Sequence, residues 1–436
     1  MSKFDSIIGY SAIKHDLIRI ADTLKSRDAY EKLGVSSPRG LLLHGEPGVG
    51  KSLMASAVIE ESGRNAFTCR KDKPNGDFVN TIKATFDEAA KNAPSIVFLD
   101  DMDKFTNGDE LHPNAEEYVT VQSCIDEVRG KDVFVIATVN NKRCLPHSLR
   151  RAGRFDRIIE IKSPRGKDAI DIISHYLKSK KVAENVDAEN IAKIMDGNSC
   201  AELETVINEA GLYAGYERKE YITMDHIMEA LLRIVFNVPA PDDNYNEDFY
   251  STLFDPGNKN AHIIYHEAGH AVISEILCPK SVTLVSAYNR EYENGGFTSY
   301  YNDNTYTTLY WEKSRIIGAL GGIAAIEQKY GFYDLGAESD LSYAFSKTRD
   351  MIINLSTSGF HLQSHGYDED SDQLKFAQEQ AISAEMDKYY RKAKEIISHN
   401  YEFFEKIAVT LAKKKLLSAD DIRKIKSECN IVPVVL

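Results

Sequence analysis

The stretch Gly45-Glu46-Pro47-Gly48-Val49-Gly50-Lys51-Ser52 limits the fold of this 436-residue chain more than any other. It follows a run over residues 39–44 that reads as a buried strand, and it leads into a helical Leu53-Met54-Ala55-Ser56-Ala57. Strand, G-x-x-x-x-G-K-S loop and helix in that order form a phosphate cradle. Glycines let backbone N–H groups turn inward around phosphate oxygens, and the helix N-terminus adds positive potential. Residues Gly45 to Leu53 are therefore expected to bind ATP, with Lys51 on the β- and γ-phosphates and Ser52 on Mg²⁺. Ser95-Ile96-Val97-Phe98-Leu99 is a second buried strand, and it ends in Asp100-Asp101. Asp100 reads as the acid on the Mg²⁺ side. Val133 to Val139 is a third buried strand and ends at Asn140. Strands alternating with helices make residues 1–165 an α/β domain with a mostly parallel sheet.

Residues 166–236 change character and read as helical. Ser199-Cys200-Ala201-Glu202 is a capping box, and it opens a helix with Leu203, Val206, Ile207, Ala210 and Tyr213 on one face. Thr223 begins the next helix. Residues 237–260 hold Pro239, Pro241, Pro256, Gly257 and an acidic run, and read as a linker. From residue 261 a second domain is expected, reaching residue 436. Val282 to Ser286 and Gly296 to Tyr300 fit short strands, a surface on which an extended substrate pairs with a sheet edge. The tail Asp372 to Lys426 reads as helical, with Ser418 capping its final helix.

The second chemical signal is His266-Glu267-Ala268-Gly269-His270, within a stretch free of proline until Pro279. On a helix, residues four apart share one face, so both imidazoles reach one metal ion. Glu267 then lies beside that metal, placed to take a proton from water. A catalytic zinc has three protein ligands and keeps a position open. Asp340, in Leu335-Gly336-Ala337-Glu338-Ser339-Asp340-Leu341, is the expected third ligand, and spacing alone leaves Glu338 as its competitor.

Tyr265-HEAGH-Ala271, Leu320-Gly321-Gly322 and Gly336-Ala337-x-x-Asp340, behind the phosphate cradle, resemble the FtsH family of ATP-dependent zinc proteases. The resemblance runs from Phe4 to about Lys426, with the motifs in family order. It implies an α/β AAA-type P-loop ATPase core with a helical lid, followed by a mainly α zinc metallopeptidase domain. It also implies Asp340 as the zinc ligand, Asn140 as the γ-phosphate sensor, and Arg154 and Arg157 as arginine fingers that act on a neighbouring subunit. Ile8 and Gly9, in Phe4-Asp5-Ser6-Ile7-Ile8-Gly9, resemble the adenine-contacting segment, and Ala201 is implied near the nucleotide. Two departures stand out. Asp101 occupies the position that usually carries the water-polarising Glu, and Arg70 to Asp77 is a charged stretch where the family has an aromatic pore loop.

Composition narrows the remainder. A net charge of −13 argues against a nucleic-acid-binding surface. Six scattered cysteines without a CxxC pair fit a reducing compartment. The longest apolar run, Ile316 to Ile326, is too short to span a bilayer. The N-terminus has no apolar signal core, although the resembled family is usually anchored ahead of its ATPase. The expectation is a cytoplasmic homo-hexamer without a membrane segment that degrades protein substrates. The alternative is a slow-turnover remodeller with weak or nucleotide-gated proteolysis, motivated by Asp101.

Overall fold

The computed structural model describes the chain except for residues 1, 35–36, 73–77, 107–114, 152, 240–248, 291–294, 302–307, 334, 365 and 367–369. Most of the charged stretch ending at Asp77, and the acidic run of the expected linker, lie outside the described residues. The chain divides into two compact units, Met1–Ala230 and Leu231–Leu436.

The first unit is built on a five-stranded sheet in the order β2-β3-β4-β1-β5. Its strands are β1 (Gly40–His44), β2 (Asn65–Cys69), β3 (Ser95–Leu99), β4 (Val133–Val139) and β5 (Arg157–Glu160). Every neighbouring pair is parallel. β1 and β3 are buried at every residue, as expected of strands covered on both faces, so they read as continuous apolar runs. Helices α1 (Ser11–Lys25), α2 (Arg27–Glu31), α3 (Lys51–Ser62), α4 (Phe78–Lys91) and α5 (Glu116–Glu127) complete the α/β part. Helices α6 (Lys167–Lys178), α7 (Ala188–Ile194), α8 (Cys200–Tyr216) and α9 (Met224–Ile234) follow it. α6 buries Ala169, Ile172, Ile173 and Leu177, one helical stripe. The Ser199–Glu202 capping box at the head of α8 is present in both directions.

The second unit contains α10 (Phe249–Thr252), α11 (Lys259–Leu277), β6 (Val282–Ser286), β7 (Phe297–Tyr300), α12 (Leu309–Ala319) and α13 (Gly321–Tyr330). After these come α14 (Glu338–Ile353), α15 (Asp372–His399), α16 (Tyr401–Lys414), β8 (Leu416–Ser418) and α17 (Ala419–Ser427). α11 is its central element. The Asn258 side chain caps its N-terminus, and beyond Lys259 and Asn260 only His262 and His266 are not buried. Tyr265, Val272, Phe403, Phe404, Ile407 and Leu411 belong to the core around it. Each such side chain contributes about 1.5–3 kcal/mol on burial.

The apolar run Ile316 to Ile326 is divided at Leu320 between α12 and α13. One feature differs from the sequence expectation. The tail is not helical throughout, because Leu416–Ser418 forms β8 and pairs antiparallel with β6. Lys415, at φ 60°, caps α16 in the left-handed region and turns the chain into that strand. β6 is thus the central strand of a small sheet, with β7 and β8 on its edges. Among the described residues, no helix is long and apolar enough to cross a membrane.

Candidate metal and nucleotide centres

α11 carries His266 and His270 one turn apart, and the first turn of α14 brings Asp340 against them. The two Nε2 atoms are 3.0 Å apart. Asp340 Oδ2 lies 3.1 Å from His266 Nε2 and 3.3 Å from His270 Nε2. Zinc bonds of about 2.0–2.2 Å put tetrahedral ligand atoms about 3.3–3.6 Å apart, so this triangle is a few tenths of an ångström tighter than one face of a zinc site. Glu338 is exposed and is not part of the cluster.

The tautomer supports the same conclusion. His270 Nδ1 lies 2.8 Å from the Gly318 carbonyl oxygen. A carbonyl only accepts, so Nδ1 carries a proton and Nε2 is the atom turned toward Asp340. Beside that carboxylate Nε2 is stabilised by positive charge, which a second proton supplies in the free site and a metal ion can supply in its place. A backbone carbonyl that fixes the imidazole in this way is the usual outer partner of a metal-binding His. Burial acts to keep His270 neutral, but Asp340, Glu267 and the Gly318 carbonyl outweigh it and push His270 up to about 9. Burial likewise acts to raise Asp340, and the two imidazoles instead hold it far below the usual carboxylate range. Both shifts report a cluster that stabilises positive charge at its centre.

Residues around the three donors hold this geometry, some from the motifs themselves (Gly269, Gly321, Gly322) and some from outside them (Thr298, Gly296, Gly318). Gly322 lies flat against the His266 ring, where any Cβ would collide with the imidazole. A Cβ on Gly269 would strike the Gly321 carbonyl oxygen, and one on Gly321 would come within 2.8 Å of the Gly269 oxygen. α11 and α13 therefore meet backbone to backbone. Thr298 on β7 donates its hydroxyl to Glu267 Oε2 at 2.8 Å, and a Cβ on Gly296 would come within 2.7 Å of Glu267 Cγ. Adjacent glycines inside an apolar helical run are the one sequence signal of such close packing. The cluster opens into a cavity of about 1100 Å³.

In the first unit, Gly48 and Gly50 take positive φ (78° and 95°) and turn the P-loop into α3. Lys51 is buried, and its Nζ donates to the carbonyls of Gly45 and Glu46, each at 2.8 Å, and to Asn140 Oδ1 at 2.9 Å. Asp100 Oδ1 accepts from Ser52 Oγ at 3.0 Å and Thr138 Oγ1 at 2.8 Å. The expected Mg²⁺ pair, Ser52 and Asp100, is thus adjacent. Asn140 Nδ2 also donates to Asp103 Oδ2 at 2.7 Å; Thr138 and Asp103 were not anticipated. The backbone N–H of Ala201 donates to the Gly48 carbonyl at 3.1 Å, which brings α8 onto the P-loop. Val49 is buried and Leu53 exposed. Ile8 and Gly9 precede α1 and are half-buried.

Asp101 adopts φ 53°, and its carboxylate pairs with Lys104 at 2.7 Å and lies 3.9 Å from Arg70. Arg154 is bound within its own chain, to Asp126 at 2.7 Å and the Ser148 carbonyl at 2.6 Å. Arg157 opens β5 and is exposed. The structure therefore brings the P-loop, Asp100 and Asn140 together, and turns Asp101 and Arg154 onto other partners.

Comparison with known proteins finds a family match in each unit. Residues 41–163 match the ATPase family associated with various cellular activities (AAA). Residues 185–229 match the AAA+ lid domain and residues 255–425 match peptidase family M41. The ATP-dependent zinc metalloprotease FtsH of Caldicellulosiruptor bescii is 30% identical over 98% of this chain and 72% of its own length. The FtsH of Mycoplasma pneumoniae is 30% identical over 100% of this chain and 63% of its own. FtsH 2 of Symbiobacterium thermophilum is 30% identical over 97% of this chain and 74% of its own. By shared sequence along nearly its whole length, this chain belongs to the FtsH family of ATP-dependent zinc metalloproteases.

Proposed function

We propose that this chain hydrolyses peptide bonds of protein substrates at a zinc ion held by His266, His270 and Asp340, and that ATP hydrolysis in the first unit drives substrate delivery. The observation that carries the reading is the three-donor triangle beside Glu267, with His270 fixed by the Gly318 carbonyl. Bound there, zinc acidifies water and polarises a scissile carbonyl. Glu267 takes the proton of the attacking water and passes it to the leaving amine. The Thr298 hydroxyl donates to Oε2 and so orients the carboxylate. The edge strand β7 runs past Glu267 and offers an extended substrate its backbone.

In the motor, Gly45, Glu46, Pro47, Gly48, Val49, Gly50, Lys51, Ser52 and Leu53 cradle ATP, with Ile8, Gly9 and Ala201 around the nucleoside. Ser52 and Asp100 would hold Mg²⁺, Asn140 reads the γ-phosphate, and Asp101 orients the attacking water. Arg154 and Arg157 serve a neighbouring subunit in a homo-hexamer. In its domain plan, residues 1–165 are the ATPase core, 166–236 its lid, 237–260 a linker and 261–436 the peptidase. All six cysteines are free, which supports a reducing, cytoplasmic setting.

A slow-turnover remodeller is the second reading, favoured by the Asp101–Lys104 pair and by Arg154 bound in its own chain. Casein degradation with and without ATP, repeated with Glu267→Gln, separates the two. The protease reading expects ATP-stimulated cleavage that falls by about 10²–10⁴-fold in Glu267→Gln with zinc retained. Cleavage that survives Glu267→Gln counts against it.

A further inference from the structure

Arg315 is a charged group in the catalytic cavity to which neither the zinc centre nor the motor gives a task. It lines the same cavity as His266, Glu267, His270 and Asp340. Its guanidinium is 4.4 Å from the centre of the Tyr300 ring, 5.6 Å from that of Trp311 and 5.9 Å from that of Tyr343. Three aromatic rings fix where the cation sits, yet none of them accepts its N–H groups in the manner of an oxygen. Its Nε is buried with no hydrogen-bond partner, and no carboxylate among the described residues pairs with it. A buried donor left unpaired is destabilising, so the guanidinium is held here without an internal acceptor for its Nε.

The placement is regular. Arg315 lies one helical turn before Gly318, the residue whose carbonyl fixes His270. Tyr343 lies one turn after Asp340 on α14. Tyr300 is two residues beyond Thr298, on the same face of β7. Each partner is one structural repeat, about 5–7 Å, from a residue of the zinc and base set. At about 3.3 Å per extended residue, that is one or two substrate residues from the scissile bond.

We infer that Arg315 and its aromatic cage form an anionic subsite, which takes a carboxylate of the substrate chain within about two residues of the bond that is cut. The guanidinium fork matches a carboxylate through two parallel hydrogen bonds, which a lysine does not reproduce. The carboxylate has two sources, an Asp or Glu side chain or the C-terminus of the substrate. The inference rests on the protease reading of this cavity.

The test uses the full chain loaded with zinc and ATP, and internally quenched peptides on a neutral scaffold. Glu is compared with Gln at each position flanking the scissile bond, and a free C-terminus with its amide. Cleavage is measured in the wild type, Arg315→Gln and Arg315→Lys. Peptide binding is measured in parallel by anisotropy in the Glu267→Gln background. The wild type is expected to favour the acid at one position by about 10- to 100-fold, in KM and in Kd. Arg315→Gln abolishes that preference and leaves neutral peptides unchanged, and Arg315→Lys retains only part of it. Discrimination at a flanking position assigns the side chain, and discrimination between acid and amide assigns the C-terminus.

Equal treatment of Glu and Gln by the wild type overturns the inference, as does a preference that persists in Arg315→Gln. So does a kcat loss in Arg315→Gln that is the same on every peptide, which marks a structural role. Discrimination in binding without any cleavage leaves the subsite standing and faults the protease reading instead. If Arg315→Gln does not fold, the wild-type acid–amide pairs and Arg315→Lys carry the test.

Discussion

In the peptidase cavity the polar groups point at a common centre, whereas in the nucleotide cleft they are paired with one another. His266, His270 and Asp340 turn three donor atoms to within 3.0–3.3 Å of each other. Lys51 instead lies on the carbonyls of its own loop, Asp101 on Lys104, and Arg154 on Asp126. The first arrangement is held by backbone packing of α11 against α13 and by Gly322 beneath His266. It is preorganised, and preorganised dipoles cost nothing to arrange at the moment of reaction. The second has to exchange partners when ATP arrives. The peptidase donors are thus already converged, while the nucleotide-binding groups are held by one another.

The largest test of this contrast is Asp101→Glu. A carboxylate one methylene short of the attacking water misplaces it by about 1 Å, which can cost about 10²-fold in rate. Asp101→Glu should raise steady-state ATPase toward that factor and casein cleavage along with it, with no matching gain on a stably folded, tagged reporter. An unchanged ATPase rate would show that the Lys104 pairing, not side-chain length, sets turnover.

On the peptidase side, Gly269→Ala should destabilise the second unit by about 1–3 kcal/mol, because its Cβ meets backbone that can move only by separating two helices. Gly322→Ala should act differently, displacing His266 and lowering zinc occupancy more than Tm. Thermal unfolding with metal analysis separates the two. Wild-type stability in Gly269→Ala would mean that the close approach is not needed.

These glycines mark where the sequence stops being readable. Gly45 to Ser52 and His266 to His270 are local patterns whose spacing alone implies their geometry. Asp340 is not local: residues 338 and 340 both carry acids, and the choice follows from the pitch of α14, which turns Asp340 inward and leaves Glu338 exposed. Gly318, Gly322 and Thr298 act on partners 31 or more residues away, and Arg315 meets Tyr300 and Tyr343 at 15 and 28 residues, so the sequence pattern around each does not show what it touches. β8 was hidden for a related reason. Its three residues have no helical or strand period of their own and become a strand by pairing with β6, more than a hundred residues earlier.

The smallest expected effect concerns Arg154. Its hydrogen bond holds the Asp126 carboxyl below the ordinary range. A depressed carboxylate contributes stability above its unfolded pKa of about 3.9 and loses it as pH falls through the folded value. The Asp126 side chain is 44% exposed, so Asp126→Asn should cost under about 1 kcal/mol at neutral pH. That difference should fade in acid as wild-type Asp126 protonates. If Arg154 serves a neighbour, the same substitution removes its ionic partner, leaving the Ser148 carbonyl, and should leave ATPase unchanged or raised. A fall in ATPase would mean that the intrachain pair is itself the working state.

The centre on which the account rests is tested most directly by the zinc content of purified protein, in the wild type, Asp340→Ala and Glu338→Ala. The account predicts about one zinc per chain in the wild type and in Glu338→Ala, and loss in Asp340→Ala. Zinc retained by Asp340→Ala but lost from Glu338→Ala would contradict it.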